Sequence, residues 1–528
     1  MPIRITGMNS GLDTESIINQ LVSAQSAKKD SYTKAQTKLS WKQEAWKTLN
    51  SKVYSLYTGT LSNLRFSSAY KQKKTTVSDS SVASVTSDGN AVDGVQTLKV
   101  KQLAKSGYLT GARLDDDVKS DSTMGELLGL EDGENADFKI GDKTISVGKD
   151  TKVSDVISQM QKAGVNANFD ATNKRIFVSA KSTGAENDFK LTADNDDGLK
   201  ALAKLGLLTE DADANATVNE DGSKTASADF KNHLAELGLE LSTEKAAGAA
   251  TRIFGQNAKI ELNGAEFENS SNKFSINGLN ITAQKVSDQE VTLSTADDYD
   301  GIYDTIKKFL KQYNELVNEF DEKYNADSAK GYEPLTSDEK YSMSDKEVEE
   351  WEKKIKDSLF RRDSTLGEVR DTMFNAMSAG IKVGNETLYL ADFGITTLGY
   401  FNAEENEKHA FHIDGDPDDS NTMGNADKLK SAIQSDPDKV MQFFQGLANN
   451  VYKSLSDKMQ SNSMRSMYKL YNDKQMDSDY KNYTSKIAEE EKKLSALEDK
   501  WYSKFGAMET ALAKLSSKTS ALSGLLGM

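Results

Sequence analysis

The sequence predicts a multidomain α plus β protein: a helical coiled-coil leg formed by the N- and C-terminal segments, with β-rich α+β head domains inserted between them. Three observations lead to this fold class. The chain has 528 residues, more than one hydrophobic core normally organises. Apolar residues recur every seven positions near both ends of the chain. In the middle they alternate at every second position, which is typical of half-buried strands.

An apolar stripe near the N-terminus predicts one half of the leg. Leu39, Trp46 and Val53 are seven residues apart, and Leu49 and Leu56 interleave with them in the three-four alternation of a coiled coil. A stripe this narrow suits a helix that meets one or two partner helices. We therefore expect these side chains to need apolar partners that a single subunit cannot fully supply.

A longer stripe near the C-terminus predicts the other half of the leg. Its members at strict seven-residue spacing are Leu494, Trp501, Met508, Leu515 and Leu522, and the second seam position is filled by Phe505, Leu512 and Leu526. Glu498 and Thr519 interrupt the second seam, and Lys, Glu and Ser lie between the apolar positions. The pattern again predicts a helix with one narrow contact face.

The first segment predicts a short helix of its own. Asp13 is placed to cap its N-terminus, and an apolar face follows it. The residues of that face are Ile17, Ile18, Leu21 and Val22. Because a helix with so few apolar residues is marginal alone, we expect it to become ordered only on a partner, and both tails to be largely disordered in the free protein.

The middle of the chain predicts three groups of strands. Residues 81–86 and 96–100 alternate like strands, with Asp88-Gly89-Asn90 as a turn between them. Residues 138–178 predict a hairpin, a helix over Val153–Ala163 and two further strands around Asn173-Lys174. Residues 256–295 predict strands at Ala258–Leu262, Phe274–Ile276, Asn280–Ala283 and Val291–Leu293, separated by Asn-Gly turns.

Helices return after Asp300 and complete the domain plan. A long stripe from Ile302 to Phe320, a second around Trp351 and a third that starts at Asp436-Pro437 predict three amphipathic helices. The predicted domains are a flexible or coiled-coil N-terminal tail (1–42), a helical leg domain (43–75 with 296–475), a β-rich head domain (76–105 with 250–295), an inserted head domain (106–249) and a C-terminal coiled-coil tail (476–528).

Charge and composition restrict the classes of partner. The net charge of −16 disfavours a nucleic-acid role, and a mean hydropathy of −0.63 suits a chain with much exposed helix. Residues 1–74 are locally basic, with twelve Lys or Arg against four Asp or Glu. A basic arm could contact a membrane or nucleic acid; because its lysines are widely spaced, we favour a solvated leg that pairs with acidic neighbours. We expect neither a membrane nor a nucleic acid as partner.

The chain shows no sign of a cleaved signal or of a stabilising covalent link. It has no cysteine, and its opening residues lack a charged region followed by an apolar run. It contains only four prolines, which limits slow isomerisation during folding. These features suit a protein that stays in the cytoplasm or that is exported unfolded by a route without a cleaved signal.

Candidate catalytic and metal sites are weak. His409 and His412 point to opposite faces of a strand, so we expect no shared metal. Asp414, Asp416 and Asp418 resemble the start of a calcium loop, but the glycine and the final carboxylate of that loop are missing. The sequence also lacks a phosphate loop, a dinucleotide fingerprint and a nucleophile elbow. We expect a protein that is not an enzyme and that has no cofactor.

Several motifs carry a resemblance to the flagellar filament-capping family (FliD, hook-associated protein 2). The opening Ser10-Gly11-Leu12-Asp13 with Ile17-Ile18 resembles the start of these proteins, and Gly94–Ala104 is similar to the strand before their head domain. Residues 138–207 are similar to the repeat that flagellins and caps share, and residues 258–282 to a second head-domain repeat. Asp363–Leu366, Leu390–Thr397 and Ser435–Val440 resemble further landmarks of the family, in the same order.

The resemblance implies a function and a set of partners. Such a protein leaves through the flagellar export channel and forms a ring, usually a homopentamer, at the distal tip of the filament. There it guides the folding and polymerisation of flagellin and prevents its leakage; an export chaperone is a possible further partner. The contacts with the filament and with other subunits are then expected at Leu12, Ile17, Ile18, Leu21, Leu39, Trp46, Val53, Leu494, Leu497, Trp501, Phe505, Met508, Leu512 and Leu515.

Two other functions share parts of this pattern. Flagellins and hook–filament junction proteins also have helical ends around a β-rich middle, and the Ser-Gly-Leu-Asp start favours the cap over them. An adhesin would bind mucin or glycans through exposed head domains, although nothing in residues 105–255 identifies a glycan site.

Overall fold

The fold is described from a computed structural model of the full chain, in which residues 10–219, 222–399 and 401–526 are described. Side chains are described up to Leu522. In chain order, the α-helices within these residues are α1 (Thr14–Ser23), α2 (Ala27–Thr58), α3 (Thr60–Asn63), α4 (Met124–Leu128), α5 (Val153–Ala163), α6 (Asp196–Lys204), α7 (Ala228–Glu236), α8 (Tyr299–Asn325), α9 (Ser337–Tyr341), α10 (Asp345–Asp357), α11 (Ser364–Met377), α12 (Lys428–Ser435), α13 (Pro437–Lys458) and α14 (Asp473–Leu526).

The strands are short and lie mostly between α3 and α8. In chain order they are β1 (Lys73–Val77), β2 (Ala83–Ser87), β3 (Gly94–Gln102), β4 (Tyr108–Thr110), β5 (Phe138–Ile140), β6 (Lys143–Ile145), β7 (Asn166–Asp170), β8 (Arg175–Ser179), β9 (Leu191–Thr192), β10 (Thr217–Val218), β11 (Lys224–Thr225), β12 (Thr251–Ile253), β13 (Ala258–Leu262), β14 (Ala265–Asn269), β15 (Lys273–Ile276), β16 (Leu279–Ala283), β17 (Val291–Asp297), β18 (Ile381–Val383), β19 (Glu386–Leu388), β20 (Ile395–Thr396) and β21 (His412–Ile413).

The chain divides into two compact units, which confirms the predicted mixed class of helical ends around a β-rich middle. The helical unit contains the described residues up to Lys71 and those from Tyr299 onward, and the β-rich unit spans Gln72–Asp298. The β-rich unit has two cores, one between Val82 and Leu293 and one between Leu109 and Ala250 that is inserted into the first. The predicted head domains and their borders stay predictions.

The core between Val82 and Leu293 is built from a five-stranded and a three-stranded antiparallel sheet. The strand orders are β1-β17-β3-β13-β14 and β15-β16-β2. Asn263-Gly264 and Asn277-Gly278 form the hairpin turns after β13 and β15, with all four residues at positive φ. The prediction of these turns is confirmed, whereas β14 was not predicted.

The predicted turn at residues 88–90 does not join paired strands. β2 pairs with β16, and β3 pairs with β17 and β13, so the two strands belong to different sheets. The alternation of residues 81–86 and 96–100 indicated strands correctly but could not identify their partners. Strand partners are set by packing between segments far apart in sequence.

The inserted core holds the predicted hairpin, helix and strand pair. β5 pairs with β6, α5 spans the predicted Val153–Ala163, and β7 pairs with β8 around Asn173-Lys174. Its α5 buries Val153, Val156, Ile157 and Met160, the four residues predicted to share one face. Arg252 on β12 closes this core from the edge, bonding Asp211 and Asp188 at 2.9 and 3.0 Å.

The core of the helical unit lies around α8. The predicted stripe on this helix is buried along its whole length, and α11 and α13 pack in the same core. Asp436 caps α13, accepting a hydrogen bond from the backbone N–H of Lys439, and Pro437 occupies the first turn as predicted. The helix predicted around Trp351 is α10, and Leu359 and Phe360, just beyond its end, are also buried.

Four members of the N-terminal stripe belong to this core: Trp46, Leu49, Val53 and Leu56. Trp46 is 2% exposed; its ring stacks on Tyr471 at 5.4 Å and meets Phe360 edge-on at 4.9 Å. Val53 is fully buried in the same cluster. The prediction that Trp46 and Val53 are contact residues for other subunits is wrong, because the helical unit itself covers them.

A substitution can test this burial. We expect Trp46→Ala to lower the free energy of unfolding of the helical unit by about 3–5 kcal/mol, because it leaves a cavity beneath Tyr471 and Phe360. The measurement is urea unfolding followed by far-ultraviolet circular dichroism. The control is Trp501→Ala, which removes an equally large but only half-buried ring on α14. Equal losses in the two variants would contradict the assignment of Trp46 to the core.

Candidate contact surface of the paired terminal helices

The leg is an antiparallel pair in which α1 and α2 lie against α14. Ser10 donates its backbone N–H to Glu509 at 3.3 Å, Gln36 donates to Thr484 at 2.7 Å, and Gln43 donates to Asp477 at 3.0 Å. As the residue number rises along the first partner, it falls along the second, so the two segments run in opposite directions. The predicted coiled-coil pairing of the two chain ends is therefore present within one subunit.

Ion pairs and rings line the middle of this pair. Lys28 lies 3.0 Å from Glu490, and Lys493 reaches the same carboxylate from within α14 at 3.1 Å. The hydrogen bond from Lys28 is the main cause that lowers the pKa of Glu490 below its ordinary value. One helical turn further on, the rings of Tyr32 and Tyr483 lie 6.4 Å apart.

The basic charge of the N-terminal segment is used inside the helical unit. Lys34 pairs with Glu339 at 2.8 Å, Lys42 with Asp363 at 2.6 Å and Lys52 with Glu319 at 2.7 Å. The hydrogen bond from Lys34 lowers the pKa of Glu339. These pairs support the interpretation of a leg that pairs with acidic neighbours over that of a nucleic-acid or membrane arm.

The first helix is ordered by α14. Asp13 caps α1 as predicted, accepting from the backbone N–H of Ser16 at 3.0 Å. Ile18 is fully buried, while Ile17 and Leu21 are half-buried. In the structure α14 of the same chain covers one face of α1, so the expected partner of this helix does not need to be another molecule.

The C-terminal stripe changes from covered to exposed along α14. Leu494, Leu497, Trp501, Phe505, Met508 and Leu512 are half-buried. Leu515 is 63% exposed and Leu522 is 59% exposed. The change follows the end of α1, since Ser10 lies against Glu509. The side chain of Leu526 lies outside the described residues.

The remaining predicted contact residues divide in the same way. Leu12, just before α1, is 47% exposed, and Leu39 on α2 is half-buried. Together with Leu515 and Leu522, Leu12 forms the exposed apolar end of the leg, which we call the open end. Contacts of this end with other molecules stay a prediction.

The sequence did not indicate which residues pair across the leg. The polar partners, such as Lys28 with Glu490 and Gln36 with Thr484, flank the apolar seam. A weak signal was present, because Lys28 and Glu490 carry opposite charges, as residues at the flanking positions of a coiled coil often do. It could be read only after the antiparallel register was known.

The acidic segment that resembles the start of a calcium loop pairs with a lysine. The ammonium of Lys307 lies 2.5 Å from Asp416 and 2.6 Å from Asp418, and Asp414 accepts from the amide of Asn425 at 2.7 Å. The carboxylates raise the pKa of Lys307 despite its partial burial. Lys307 therefore supplies a positive charge to two of the three carboxylates, which favours the interpretation of an acidic turn.

The two histidines bind separate carboxylates. His409 contacts Asp321 at 2.7 Å, and Arg370 bonds the other oxygen of that buried carboxylate at 2.9 Å. His412 contacts Asp419 at 2.6 Å. Within residues 10–219, 222–399 and 401–526, no group of His, Cys, Asp and Glu could hold a metal ion. No helix in the described part of the chain is long and apolar enough to span a bilayer.

Comparison with known proteins agrees with this architecture. The family profile for the N-terminus of flagellar hook-associated protein 2 matches residues 10–107, and the profile for its C-terminus matches residues 255–517. Both paired segments of the leg therefore fall inside a match. The chain belongs to the flagellar hook-associated protein 2 family. The inserted core lies between the two matches, and the similarity of residues 138–207 to a flagellin repeat stays a prediction.

Relatives of the hook-associated protein 2 family cover most of the chain. Flagellar hook-associated protein 2 of Halalkalibacterium halodurans is 22% identical over 498 residues, covering 88% of this chain and 83% of that protein. The protein of the same name from Thermotoga maritima is 23% identical over 612 residues, covering 99% and 96%. The Escherichia coli K12 protein is 25% identical over 437 residues, covering 81% and 77%.

A solved structure is also similar. The D1-D2-D3 domains of the flagellar cap protein FliD from Escherichia coli match with a TM-score of 0.45 and 19% identity, over 79% of this chain and 97% of that one. The hook-associated protein 2 family is one of structural flagellar proteins and is not an enzyme family.

A matched pair of variants tests the packing of α1 on α14. We expect Ile18→Ser to expose α1, because it removes the fully buried apolar side chain of a short helix. Amide hydrogen exchange in residues 14–23 and 495–509 should become faster. Asn19→Ser, at the exposed neighbouring position, should leave both segments as protected as in the wild type. Unchanged exchange in the Ile18 variant would show that α1 is not held by this face.

Proposed function

We propose that this protein caps the distal end of the flagellar filament, where it guides the folding and polymerisation of exported flagellin and prevents its leakage. Membership of the hook-associated protein 2 family supports this function. The observation that carries it is the open end of the leg, where Leu515 and Leu522 remain exposed on a helix whose earlier turns are paired.

The size of the open end suits a contact that must be made and released. Burying one such leucine on a neighbouring subunit contributes roughly 1.5–3 kcal/mol. Two or three apolar side chains on each leg would hold the cap while leaving each leg separable from the filament. Ser, Thr and Lys on the remaining faces limit the apolar area that any one leg can bury.

The proposal includes a set of partners and a place. The cap would be a homo-oligomer, with a pentamer as the proposed size, at the extracellular tip of the flagellum. It would reach that place through the flagellar export channel, and an export chaperone is a further proposed partner. The β-rich unit, with its two cores, would form the plate beneath which flagellin folds.

Charged substitutions at the open end test the filament contact. We expect cells with Leu515→Glu and Leu522→Glu to grow short or no filaments and to release flagellin into the medium, because charged side chains cannot be buried there. The control is Ser517→Glu with Ser520→Glu, which adds the same charge on the opposite, exposed face of α14. Electron microscopy and immunoblots of the medium give the readout.

Three further outcomes would contradict the proposal or favour an alternative function. A chain truncated after Lys493 lacks the whole end of the leg, so normal filaments and no leaked flagellin from such cells would refute it. Long filaments formed by the purified protein, in place of small closed rings, would instead favour a flagellin or a junction protein. Wild-type filament growth combined with lost binding to mucin or glycans in a head-domain deletion would favour the adhesin.

A further inference from the structure

The segment between α13 and α14, residues 459–472, is held by hydrogen bonds to Asn50 on α2 and by one within the segment. Asn50 on α2 is buried; its side-chain oxygen accepts from the backbone N–H of Leu470 at 2.8 Å, and its amide donates to the carbonyl of Tyr468 at 3.1 Å. The N–H of Tyr468 donates to the carbonyl of Met459 at 2.9 Å. Both backbone polar groups of Tyr468 are therefore fixed by the helical unit.

Tyr468 has an unfavourable backbone conformation for its type. Its φ is 63°, in the left-handed region that glycine and asparagine tolerate and bulky side chains avoid. Its side chain is nevertheless 45% exposed, so the strain is not explained by filling a core. A strained residue that its surroundings hold in place, with its side chain at the surface, indicates a functional position.

The exposed ring of Tyr468 is the end of a row of tyrosine rings in contact with one another. The ring of Tyr468 meets Tyr54 at 5.6 Å, Tyr54 lies 6.2 Å from Tyr57, and Tyr57 stacks on Tyr452 at 4.1 Å. The guanidinium of Arg65 lies 3.8 Å from the centre of the Tyr452 ring. The exposed end of this row is rigid, so its ring loses little conformational freedom when it is buried against another molecule.

Methionines extend this ring into a surface patch. Met464 and Met467 belong to the same segment and, like Tyr54 and Tyr468, are exposed. We call these four residues the tyrosine–methionine patch. Tyrosine and methionine are enriched in protein–protein interfaces relative to other surfaces.

The rim of the patch is basic. Arg465 and Lys469 lie within the segment, Lys474 lies in the first turn of α14, and Lys47 is two helical turns from Tyr54 on the same face of α2. Arg465 and Lys474 are oriented by hydrogen bonds to the carbonyls of Gln460 and Asn462, at 3.2 and 3.1 Å. Residues 460–475 contain one acidic residue, Asp473. A partner with an apolar centre and an acidic surround would fit.

We propose that the tyrosine–methionine patch binds a second copy of this chain. The charge of the chain favours this occupant. Residues 1–74 carry twelve basic and four acidic residues, and the whole chain has a net charge of −16, so residues 75–528 are strongly acidic. A basic-rimmed patch next to the leg of one copy would therefore meet an acidic surface of the next. The inference rests on the proposed self-association of the cap and assigns a surface to it.

Sedimentation velocity of the full-length protein over a range of concentrations tests the patch. We expect Tyr468→Asn to weaken self-association about tenfold or more, as truncation of a central aromatic contact does. The midpoint of thermal unfolding should not fall, since asparagine tolerates the left-handed conformation. Arg465→Glu with Lys469→Glu should weaken association further, and added salt should weaken association of the wild type.

Two matched controls carry the same chemistry elsewhere in the helical unit. Tyr341, which is 95% exposed, and Met423, which is also exposed, are not part of the patch. Tyr341→Asn and Met423→Ser should leave the association constant unchanged, whereas Met467→Ser should lower it.

The outcomes separate this inference from the proposed function. Wild-type association of the Tyr468 variant, or an equal loss in the controls, would overturn the assignment of the patch. Normal rings of the Tyr468 variant that fail to support filament growth would mean that the patch faces a different partner, which overturns the inference and leaves the cap function standing. A wild-type chain that stays monomeric at every concentration would overturn the proposed self-association and this inference with it.

Discussion

The antiparallel pairing of the two chain ends is the interaction on which the rest of the structure depends. Because α1 and α2 lie along α14, residues at opposite ends of the sequence meet, and the chain leaves the helical unit after Lys71 and returns to it at Tyr299. The β-rich unit is therefore inserted into the helical unit. The core between Leu109 and Ala250 is in turn inserted into the core between Val82 and Leu293. Polar pairs such as Lys28 with Glu490 fix the register, while the apolar seam supplies most of the stabilisation.

The same apolar stripe has different roles at different heights along the leg. In the second half of α2 the stripe is part of the core around α8, where Trp46 and Val53 are buried. Along the middle it is half-buried between two helices. At the open end it is exposed, since α1 begins at Thr14 and does not extend beside the last turns of α14. A gradient of this kind lets one periodic pattern both anchor the leg and leave a surface for other molecules.

At three places in the described part of the chain, buried carboxylates are paired with basic side chains. Asp321 is shared by Arg370 and His409, Lys307 joins Asp416 and Asp418, and Arg252 joins Asp211 and Asp188. Removing one partner of such a group would leave an uncompensated charge away from water, which costs far more than the pair contributes. Two of these groups include residues that the sequence analysis considered as metal ligands. In them Lys307 pairs with Asp416 and Asp418, and His409 shares Asp321 with Arg370.

Local patterns in the sequence determined many of the helices and strands, and a separate set of motifs carried the family resemblance. Asp13 and Asp436-Pro437 mark helix starts, the seven-residue spacing marks the leg, and Asn-Gly pairs mark hairpins, because each depends on neighbours a few residues away. Only the tertiary structure decided which part of a stripe enters the core, which strands pair, and where Tyr468 presents its ring. The partners in those cases are distant in sequence, as with Gln36 and Thr484, 448 positions apart. A periodic pattern specifies that a face needs covering, and only three-dimensional packing specifies what covers it.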